Sequence, residues 1–416
     1  MSKVSLYSEV DPLEGVILHP PGPEVENMTP KNAERALYSD ILNLAVARKE
    51  YNQLECALQQ LTQTYRVTDL LRDILRSYEV KEKIIKKTCY NERRPELVDF
   101  LLDQDPGELS RLLIQGVPLI KETLTNFLSD ENFALRPLHN FFYTRDAGIA
   151  FYDKVLIGKM ANRVREREAL IMEAIFNYHP KLRSQTIVAD DHDISGNRIN
   201  IEGGDVLVAR EDILLLGIGG RTNTQGVDFL INQIRQEKRP FHIIVQELPE
   251  KPESFIHLDM AFTFLDHDTC MLYEPLILRP NKYETVHIEL DNGKVKSIRT
   301  VENIPAILKN LGMDLKPTFC GGNSDSTVQE REQWHSGANF FAVGPGKVFG
   351  YNRNINTLDN LNKNGFEILR ARDMLSGKFS LDDYDKYVLT IDGSELARGG
   401  GGARCMTMPF RRSPVH

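Results

Sequence analysis

Two hydrophobic periodicities alternate along this chain and divide it into three parts. Short apolar runs, typical of buried strands, occur before about residue 70 and again after Asn140, where glycines separate them. Between about Leu71 and Asp130 the apolar residues recur every three or four positions instead, which predicts a series of short amphipathic helices. The pattern therefore predicts an α/β protein that carries an α-helical insertion.

The N-terminal part is predicted to contain two strands around one long helix. Residues 13–19 have the apolar character of a strand, and residues 65–70 show it again. A helical pattern begins between them, with Thr29 as the N-cap and Pro30 at the first helical position, and it extends toward Leu61.

After Asn140 the sequence predicts strands and helices in alternation. The predicted strands are residues 147–151, 155–157, 205–208, 213–218, 243–247, 263–264, 270–273, 340–343 and 347–351. The predicted helices are residues 163–178, 227–237, 303–311 and 328–336. A polar turn that recurs ahead of apolar runs is a hint of internal repetition; the turns are Arg145-Asp146, Gly204-Asp205, Leu258-Asp259 and Gly322-Asn323.

Composition sets limits on the compartment and the partners. The chain of 416 residues has a net charge of -8, which argues against binding to nucleic acid or to an anionic membrane. Its apolar runs fall short of the ~20 residues of a membrane span. The acidic first thirty residues lack the apolar core of a secretory signal. The five scattered cysteines show no C-x-x-C spacing, which predicts neither a disulfide framework nor a structural zinc site. We therefore expect a cytoplasmic protein.

A cysteine near the end of the sequence is the first candidate for chemistry. Cys405 follows four consecutive glycines, residues 399–402, which allow the backbone to approach a bound group closely. A thiol on such a loop is presented as a nucleophile would be. From the residues alone, a buried and unreactive cysteine is the alternative, since free cysteine is among the most buried residue types.

Polar clusters in apolar surroundings supply further candidates. They lie at residues 140–146, 200–208 and 256–262, and they contain His257 and several carboxylates. A charge in such surroundings is costly unless it is paired or used. A structural ion pair would explain any one cluster, but together with Cys405 the clusters predict a catalytic site.

These segments, in this order and spacing, resemble arginine deiminase, a guanidine-modifying enzyme of the pentein superfamily. The ordered motifs that carry the resemblance are Leu18-His19-Pro20-Pro21-Gly22, Met28-Thr29-Pro30, Gly217-Ile218-Gly219-Gly220-Arg221-Thr222, Arg331-Glu332-Gln333-Trp334-His335-Ser336-Gly337-Ala338-Asn339 and Arg404-Cys405-Met406-Thr407-Met408-Pro409. The resemblance implies a fivefold pseudosymmetric α/β propeller, the pentein fold, with the active site in its central channel. The expected division is a first part of the catalytic propeller at residues 1–70, an inserted α-helical module at 71–133 and the remainder of the propeller at 134–416.

The resemblance also implies the catalytic roles. Cys405 would be the nucleophile that attacks the guanidinium carbon, and His257 would protonate the leaving nitrogen and then activate water. Asp146 and Asp259 would hold the planar guanidinium by paired hydrogen bonds, and Glu202 would partner the histidine.

Local sequence adds two expectations about this set. Residues two apart in a strand share a face, so we expect His257 and Asp259 to point into one pocket while Leu258 packs behind them. Asp205 is predicted to cap a turn instead of taking part in catalysis.

The resemblance assigns the other end of the substrate as well. Its carboxylate would be bound by Arg165, Arg221 and Asn140, with Tyr143 and Gly399 as further substrate-binding residues. From the residues alone, an equally good interpretation is that Arg165 lies on a solvated helical face and forms i,i+4 ion pairs.

The predicted reaction is the hydrolysis of free L-arginine to L-citrulline and ammonia through a covalent thiouronium on Cys405, with no metal or organic cofactor. The expected partner is the small-molecule substrate. The sequence does not decide whether the protein forms a homo-oligomer. Alternatives within the fold are amidinotransfer, dimethylarginine hydrolysis, agmatine deimination and partner binding without catalysis. A papain-like peptidase is disfavoured because its nucleophile begins its domain. Several relatives have an arginine where this chain has Gly400, which puts specificity for the amino-acid end in doubt.

Overall fold

The computed structural model describes residues 3–29, 33, 37–38, 40–189, 198–323 and 325–414. Its strands are β1 (Leu13–Leu18), β2 (Gln63–Arg66), β3 (Val117–Pro118), β4 (Phe133–Leu135), β5 (Gly148–Phe151), β6 (Lys154–Ile157), β7 (Gln185–Ile187), β8 (Val206–Arg210), β9 (Ile213–Ile218), β10 (Phe241–Glu247), β11 (Phe262–Phe264), β12 (Thr269–Leu272), β13 (Thr285–Asp291), β14 (Lys294–Val301), β15 (Lys316–Phe319), β16 (Phe341–Gly344), β17 (Lys347–Tyr351), β18 (Glu367–Arg370), β19 (Tyr387–Ile391) and β20 (Met408–Arg412).

Helices connect many of these strands. They are α1 (Pro23–Glu26), α2 (Leu44–Leu61), α3 (Val67–Ile74), α4 (Tyr78–Asn91), α5 (Val98–Leu102), α6 (Pro106–Gln115), α7 (Leu124–Leu128), α8 (Thr144–Ala147), α9 (Glu166–Tyr178), α10 (Thr224–Ile234), α11 (Glu274–Ile277), α12 (Ile304–Asn310), α13 (Ser326–Trp334), α14 (Ile355–Lys363) and α15 (Ala371–Leu375). In the part of the chain that the structure describes, no helix is both long enough and apolar enough to span a bilayer.

One strand topology recurs in five sheets within the described residues. In each, an antiparallel pair is followed by a third strand that lies parallel to the middle one; the triplets are β20-β1-β2, β5-β6-β7, β8-β9-β10, β11-β12-β15 and β16-β17-β19. A parallel neighbour requires a crossover connection, and helices α2, α9 and α10 supply it in the first three triplets. This repeat matches the predicted fivefold α/β propeller.

The apolar runs of the central strands are explained by burial on both faces. In β9, Ile213 and Leu215 pack in one hydrophobic cluster, whereas Leu214 and Leu216 pack in another. Successive side chains of a strand point to opposite faces, so a strand between two cores reads as a continuous apolar run instead of an alternation.

The N-terminal elements differ from the prediction at two boundaries. Helix α2 begins at Leu44, where the Asn43 side chain accepts a hydrogen bond from the Val46 N–H at 3.2 Å. Leu37 has a positive φ of 66°, which a helix interior excludes, so the predicted start near residue 30 was too early. Pro30, which was predicted at the first helical position, lies outside the described residues.

The second predicted strand, residues 65–70, was wrong beyond Arg66, where β2 ends and α3 begins. Val67, Leu70 and Leu71 recur at helical spacing and are fully or almost fully buried, so the core selects the helix. Helices α3 to α7 occupy the predicted α-helical segment, and α3 and α4 pack against α9. The domain boundaries at 71 and 133 stay a prediction.

A polar segment lies directly ahead of the first strand of each triplet. Asp146 precedes β5, Asp205 precedes β8, Asp259 precedes β11, Asn339 precedes β16 and Cys405 precedes β20. The topological repeat therefore brings five sequence-distant polar residues to equivalent positions. The predicted turn at Gly322-Asn323 does not belong to this set, because it is followed by α13 and not by a strand.

Candidate active site

The Cys405 thiol lies in a closed polar centre. Its sulfur is 3.7 Å from Asp259 Oδ2 and 3.8 Å from the Met260 sulfur, and the residue is 3% exposed. The Asn339 side chain oxygen accepts hydrogen bonds from the backbone N–H groups of Arg404 and Cys405, at 2.9 and 3.2 Å. These bonds fix the backbone that carries the thiol.

Asp259 is held by Arg404, a buried arginine to which the sequence analysis assigned no role. Arg404 Nη1 donates to Asp259 Oδ2 at 2.8 Å, and Arg404 Nε and Nη2 donate to the two oxygens of Glu9 at 3.1 and 3.0 Å. Asp259 Oδ1 contacts the Cys405 sulfur at 3.9 Å and has no other hydrogen bond to a described residue. One carboxylate oxygen is thus occupied and the other is available.

A histidine and two carboxylates form the second half of the centre. His257 Nε2 lies 2.9 Å from Glu202 Oε2, and His257 Nδ1 lies 3.6 Å from Asp146 Oδ1. Glu202 Oε1 accepts a hydrogen bond from the Ala161 N–H at 3.0 Å. All three titratable residues are at most 3% exposed, so their charges interact in a medium of low dielectric constant.

The imidazole requires a glycine beside it. A Cβ on Gly204 would lie 2.6 Å from Cγ and Nδ1 of His257, which is closer than real contacts allow. The expectation that His257 and Asp259 share one face of a strand was wrong in its geometry, because Leu258–Met260 form a 3-10 turn. Leu258 packs in the core as predicted, and its N–H donates to Asp205 Oδ1 at 2.9 Å. Asp205 thereby anchors the turn that carries both residues.

Two carboxylates keep His257 protonated. Burial alone would lower the pKa of His257, but Asp146 and the hydrogen bond to Glu202 outweigh it and raise this pKa to about 9. Burial would raise the pKa of Glu202, but the histidine overcomes this and lowers it to about 2. At neutral pH the pair is therefore an imidazolium and a carboxylate, which suits a general acid.

Cys405 is held in its protonated form by the same surroundings. Burial, and then the charges of Asp259 and Asp146, raise the pKa of the Cys405 thiol well above its ordinary value of 9.0. A cation bound between the two aspartates would cancel their charges and favour the thiolate. A cation at this position would therefore promote formation of the thiolate.

We expect the protonation of His257 to show in the pH dependence of stability. A folded-state pKa of about 9 against an ordinary 6.5 stabilises the protein fully below pH 6.5, and this contribution is lost as pH rises through 9. In Glu202→Gln the pKa of His257 falls, so the difference in Tm between wild type and variant shrinks as pH rises toward about 9. Thermal unfolding followed by circular dichroism measures it, with Glu79→Gln at an exposed ion pair as the control. A constant difference in Tm across that range would contradict the assignment.

Arg165 is buried in this centre and not on a solvated face. Its Nη1 donates to Asp146 Oδ2 at 2.5 Å, and its Nε and Nη2 donate to Glu168 Oε2 at 3.0 and 2.8 Å. Asp146 Oδ1 has no hydrogen-bond partner in the described part of the chain. Asp146 therefore resembles Asp259, with one oxygen held by an arginine and the other available. That Arg165 binds a substrate carboxylate stays a prediction.

The other predicted substrate residues lie around this centre. Asn140 is buried, and its backbone oxygen accepts from Arg165 Nη2 at 3.4 Å. Tyr143 donates to the Leu396 carbonyl at 3.2 Å, and a Cβ on Gly399 would clash with its hydroxyl oxygen. Arg221 is half-buried, its charge helps to lower the pKa of Glu202, and no described residue forms an ion pair with it.

Sequence reasoning missed three residues of the centre: Glu9, Asn339 and Arg404. Asn339 and Arg404 lie in motifs that carried the family resemblance, but motif membership alone assigns no contact. Glu9 meets Arg404 across 395 positions of sequence, and no local pattern could reveal such a pair.

One group in the centre has the geometry of a cation site. Atoms of Asp146, Glu202 and His257 lie within 4.8 Å of one another. With a pKa near 9, however, both nitrogens of His257 carry protons at neutral pH, and a metal ion would first have to displace one of them.

Comparisons with solved structures show the fold. SxtG, an amidinotransferase from Microseira wollei, matches with a TM-score of 0.56 and 14% identity over 99% of this chain and 98% of its own. The N-terminal domain of the cyanobacterial arginine dihydrolase ArgZ matches with a TM-score of 0.53 and 12% identity over 97% and 98%. DDAH from Pseudomonas aeruginosa, complexed with citrulline, matches with 0.51 and 13% over 96% and 100%. These are pentein proteins, which confirms the predicted fold class.

A family model decides the classification. Residues 34–412 match the model described as arginine deiminase. This span includes Cys405, His257 and the two carboxylates that contact the histidine, Asp146 and Glu202. The family model therefore covers most of the chain, including all but the first strand of the fivefold repeat and most of the polar centre. The chain belongs to the arginine deiminase family.

Proposed function

We propose that this protein hydrolyses the guanidinium group of free L-arginine, releasing ammonia and L-citrulline. The observation that supports this most strongly is the state of its two aspartates. Asp146 and Asp259 each have one oxygen bound to a guanidinium of the chain. The other oxygen of Asp146 accepts no hydrogen bond from a described residue, and the other oxygen of Asp259 accepts only from the Cys405 thiol, which would lose its proton in the reaction. A second guanidinium bound by the two free oxygens would lie beside the Cys405 sulfur, because Asp259 Oδ1 is 3.9 Å from it.

The first chemical step is addition of the Cys405 sulfur to the guanidinium carbon. The substrate cation neutralises Asp146 and Asp259, which lowers the pKa of the thiol, and the thiol proton passes to solvent because His257 is already protonated. A tetrahedral adduct forms, and His257 donates its proton to one terminal nitrogen. That nitrogen leaves as ammonia, and the sulfur stays bonded to carbon as a thiouronium.

The second step is hydrolysis of this intermediate. His257 is now neutral and accepts a proton from a water molecule that attacks the same carbon. The carbon–sulfur bond breaks, citrulline is released and the thiol is restored. Glu202 stabilises the imidazolium in both steps through its hydrogen bond at 2.9 Å, so the same residue serves as acid and then as base.

The amino-acid end of the substrate needs a positive partner, and Arg221 is the best available. Arg165 already has two carboxylate partners, whereas Arg221 forms no ion pair within the described ranges. Asn140, Tyr143 and Gly399 are the further proposed substrate-binding residues, and they surround the Arg165 side of the centre.

Amidinotransfer is the alternative that the comparisons favour most. SxtG from Microseira wollei and StrB1 from Streptomyces griseus are amidinotransferases with this fold, the latter at 15% identity, a TM-score of 0.52 and coverage of 100% and 98%. In that reaction an amine, and not water, attacks the thiouronium. The two reactions share the first step and differ only in the acceptor.

A substrate panel tests the proposal. Purified protein is incubated with arginine, agmatine, methylated arginine and peptidyl arginine, and ammonia and citrulline are measured. A second series adds glycine or another amine as acceptor. We expect ammonia and citrulline in equal amounts from arginine alone. Ornithine and a new guanidino compound, formed only with an amine present, would instead identify an amidinotransferase.

Arg221→Ala should separate binding of the two ends of the substrate. Loss of a charge-assisted bond to the carboxylate is worth about 1.5 to 3 kcal/mol, which corresponds to a KM for arginine that rises roughly tenfold to a hundredfold. Agmatine lacks the carboxylate, so its turnover should not change. Steady-state kinetics with both substrates measures this, with the exposed Arg183→Ala as the matched control. Equal damage to both substrates would assign Arg221 another role.

A further inference from the structure

A second polar cavity lies away from the catalytic centre. It has a volume of about 350 Å³ and lies where the turn after α4 meets the start of α9. The lining includes Thr88 and Arg93 from the α4 side and Arg163, Glu166 and Arg167 from the α9 side. A neighbouring cavity of about 460 Å³ shares Arg93, Arg163 and Glu166, so the two form one groove. None of the proposed catalytic residues lines it.

The groove presents uncompensated positive charge. Arg93 and Arg163 are exposed, and neither guanidinium has a hydrogen bond or ion pair with any residue that the structure describes. The three acidic residues that line it in the described part of the chain are already neutralised: Glu92 is paired with Arg167 at 3.1 Å, Glu166 with Arg198 at 3.0 Å, and Glu173 with Lys87 at 3.0 Å. The free charge at this surface is therefore cationic.

The backbone at Arg93 is unusual. Its φ is 56°, and its N–H bonds to the Tyr90 carbonyl at 3.2 Å, so it ends α4 in the left-handed conformation. That position favours glycine or asparagine, and a larger side chain there costs roughly 1 to 2 kcal/mol. A residue kept at a strained position on the rim of a cavity points to a use for its side chain.

Two buried polar atoms among the lining residues have no partner. The Thr88 hydroxyl and Arg167 Nε belong to side chains that are 1% and 3% exposed, and neither atom forms a hydrogen bond within the described part of the protein. Buried polar groups are nearly always paired, and an unpaired one is costly. A ligand, with the water it carries, would supply the missing partners.

We propose that this groove binds a phosphate-bearing small molecule. The candidate donors come from three directions: Thr88 on α4, Arg93 on the following turn, and Arg163 and Arg167 at the start of α9. A planar carboxylate offers two oxygens, whereas a phosphoryl group offers three and can accept from all these directions. Helix α9 has 13 residues, and the positive end of its dipole adds to the attraction for an anion.

The groove has a direct structural link to the catalytic centre. Arg163, Arg165 and Arg167 alternate along one turn, and Arg165 holds Asp146 at 2.5 Å. A phosphate clamped by Arg163 and Arg167 would restrict the turn that positions Arg165. An effect on turnover rests on the proposed function, but binding does not depend on it.

Isothermal titration calorimetry with the full chain tests the proposal. The probes are inorganic phosphate, pyrophosphate and AMP, with citrate as the carboxylate comparison. We expect at least one phosphate probe to bind the wild-type protein. The Kd of that probe should rise at least tenfold in Arg163→Ala and rise further in the double variant with Arg93→Ala. Added NaCl should also raise the Kd. Arg76→Ala, an exposed arginine of the same helical segment, should bind as wild type does. The AMP and phosphate arms distinguish a nucleotide from the free anion.

Three results would overturn the proposal. One is the absence of binding by every phosphate probe at millimolar concentration. Another is a wild-type Kd in the double variant, provided that circular dichroism shows a native melting curve. The third is binding of citrate without binding of any phosphate probe, which would identify the ligand as a carboxylate instead of a phosphoryl compound. Because the calorimetric signal needs no turnover, these outcomes are separate from any failure of the proposed reaction.

Discussion

Cys405→Ser is expected to lower turnover of arginine by roughly four orders of magnitude or more while leaving arginine binding largely intact. A serine hydroxyl is far less ionised than a thiol and is a weaker nucleophile, so removal of the attacking atom should cost as much as removal of other essential nucleophiles does. The carboxylates that hold the guanidinium remain in place. Citrulline formation and calorimetric binding are the measurements.

Loss of a different thiol provides the matched control. Cys56 is half-exposed and its sulfur contacts only Asn52 Oδ1, at 3.4 Å, among the described residues. Cys56→Ser should therefore retain wild-type activity. Mass spectrometry of quenched wild-type protein should also detect a thiouronium adduct on the peptide that contains Cys405. Full activity in Cys405→Ser would exclude covalent catalysis at this residue.

Asp259→Asn should produce two opposite effects. Turnover should fall at least roughly a hundredfold, because the guanidinium loses a partner that orients it for attack. Alkylation of Cys405 by iodoacetamide at neutral pH should become faster, because the charge of Asp259 is one of the causes, after burial, that keep the pKa of this thiol high. Unfolding would also expose this buried thiol, so the alkylation rates are compared only under conditions in which circular dichroism shows both proteins to be fully folded.

The same substitution should also lower stability. Arg404 would keep its bonds to Glu9 but lose a buried charge partner at 2.8 Å, and breaking a buried ion pair costs about 3 to 5 kcal/mol. Urea unfolding measures this, and Asp69→Asn at an exposed ion pair should show little change. Slower alkylation of Cys405 in Asp259→Asn than in wild type would contradict the electrostatic account.

Nine strands after Asn140 were predictable because their local sequence is a buried apolar run. The strands that were not predicted are β7, β13, β14, β15, β18, β19 and β20. Every predicted strand in that part overlaps an observed one, and β9 is the clearest case, since both of its faces pack in cores. The hairpin of β13 and β14 was missed although Asn292-Gly293 lies between the paired residues Asp291 and Lys294. That dipeptide is a strong hairpin signal.

Part of the membership of the polar centre was predictable, but the pairing of its residues was not. Motifs identified Asp146, Asp259 and His257, and each lies in the polar centre. No sequence pattern shows that Arg404 bridges Glu9 and Asp259, because that pairing depends on how separate repeats meet. For the same reason the sequence could not decide whether Arg165 lies on a solvated helical face or is buried. Its contact with Asp146 in the structure decides for burial.

The pairing of β20 with β1 has a consequence for biosynthesis. Val16 lies opposite Pro409 in this pair, and Cys405 immediately precedes the strand that completes the first sheet. Ring closure therefore joins segments almost four hundred residues apart, a contact that forms late because of its sequence separation. A ribosome-bound chain that lacks these residues carries the histidine and both aspartates but not Cys405. If Cys405 is the nucleophile, as we propose, such a chain cannot form a covalent adduct with a guanidinium before the ring closes.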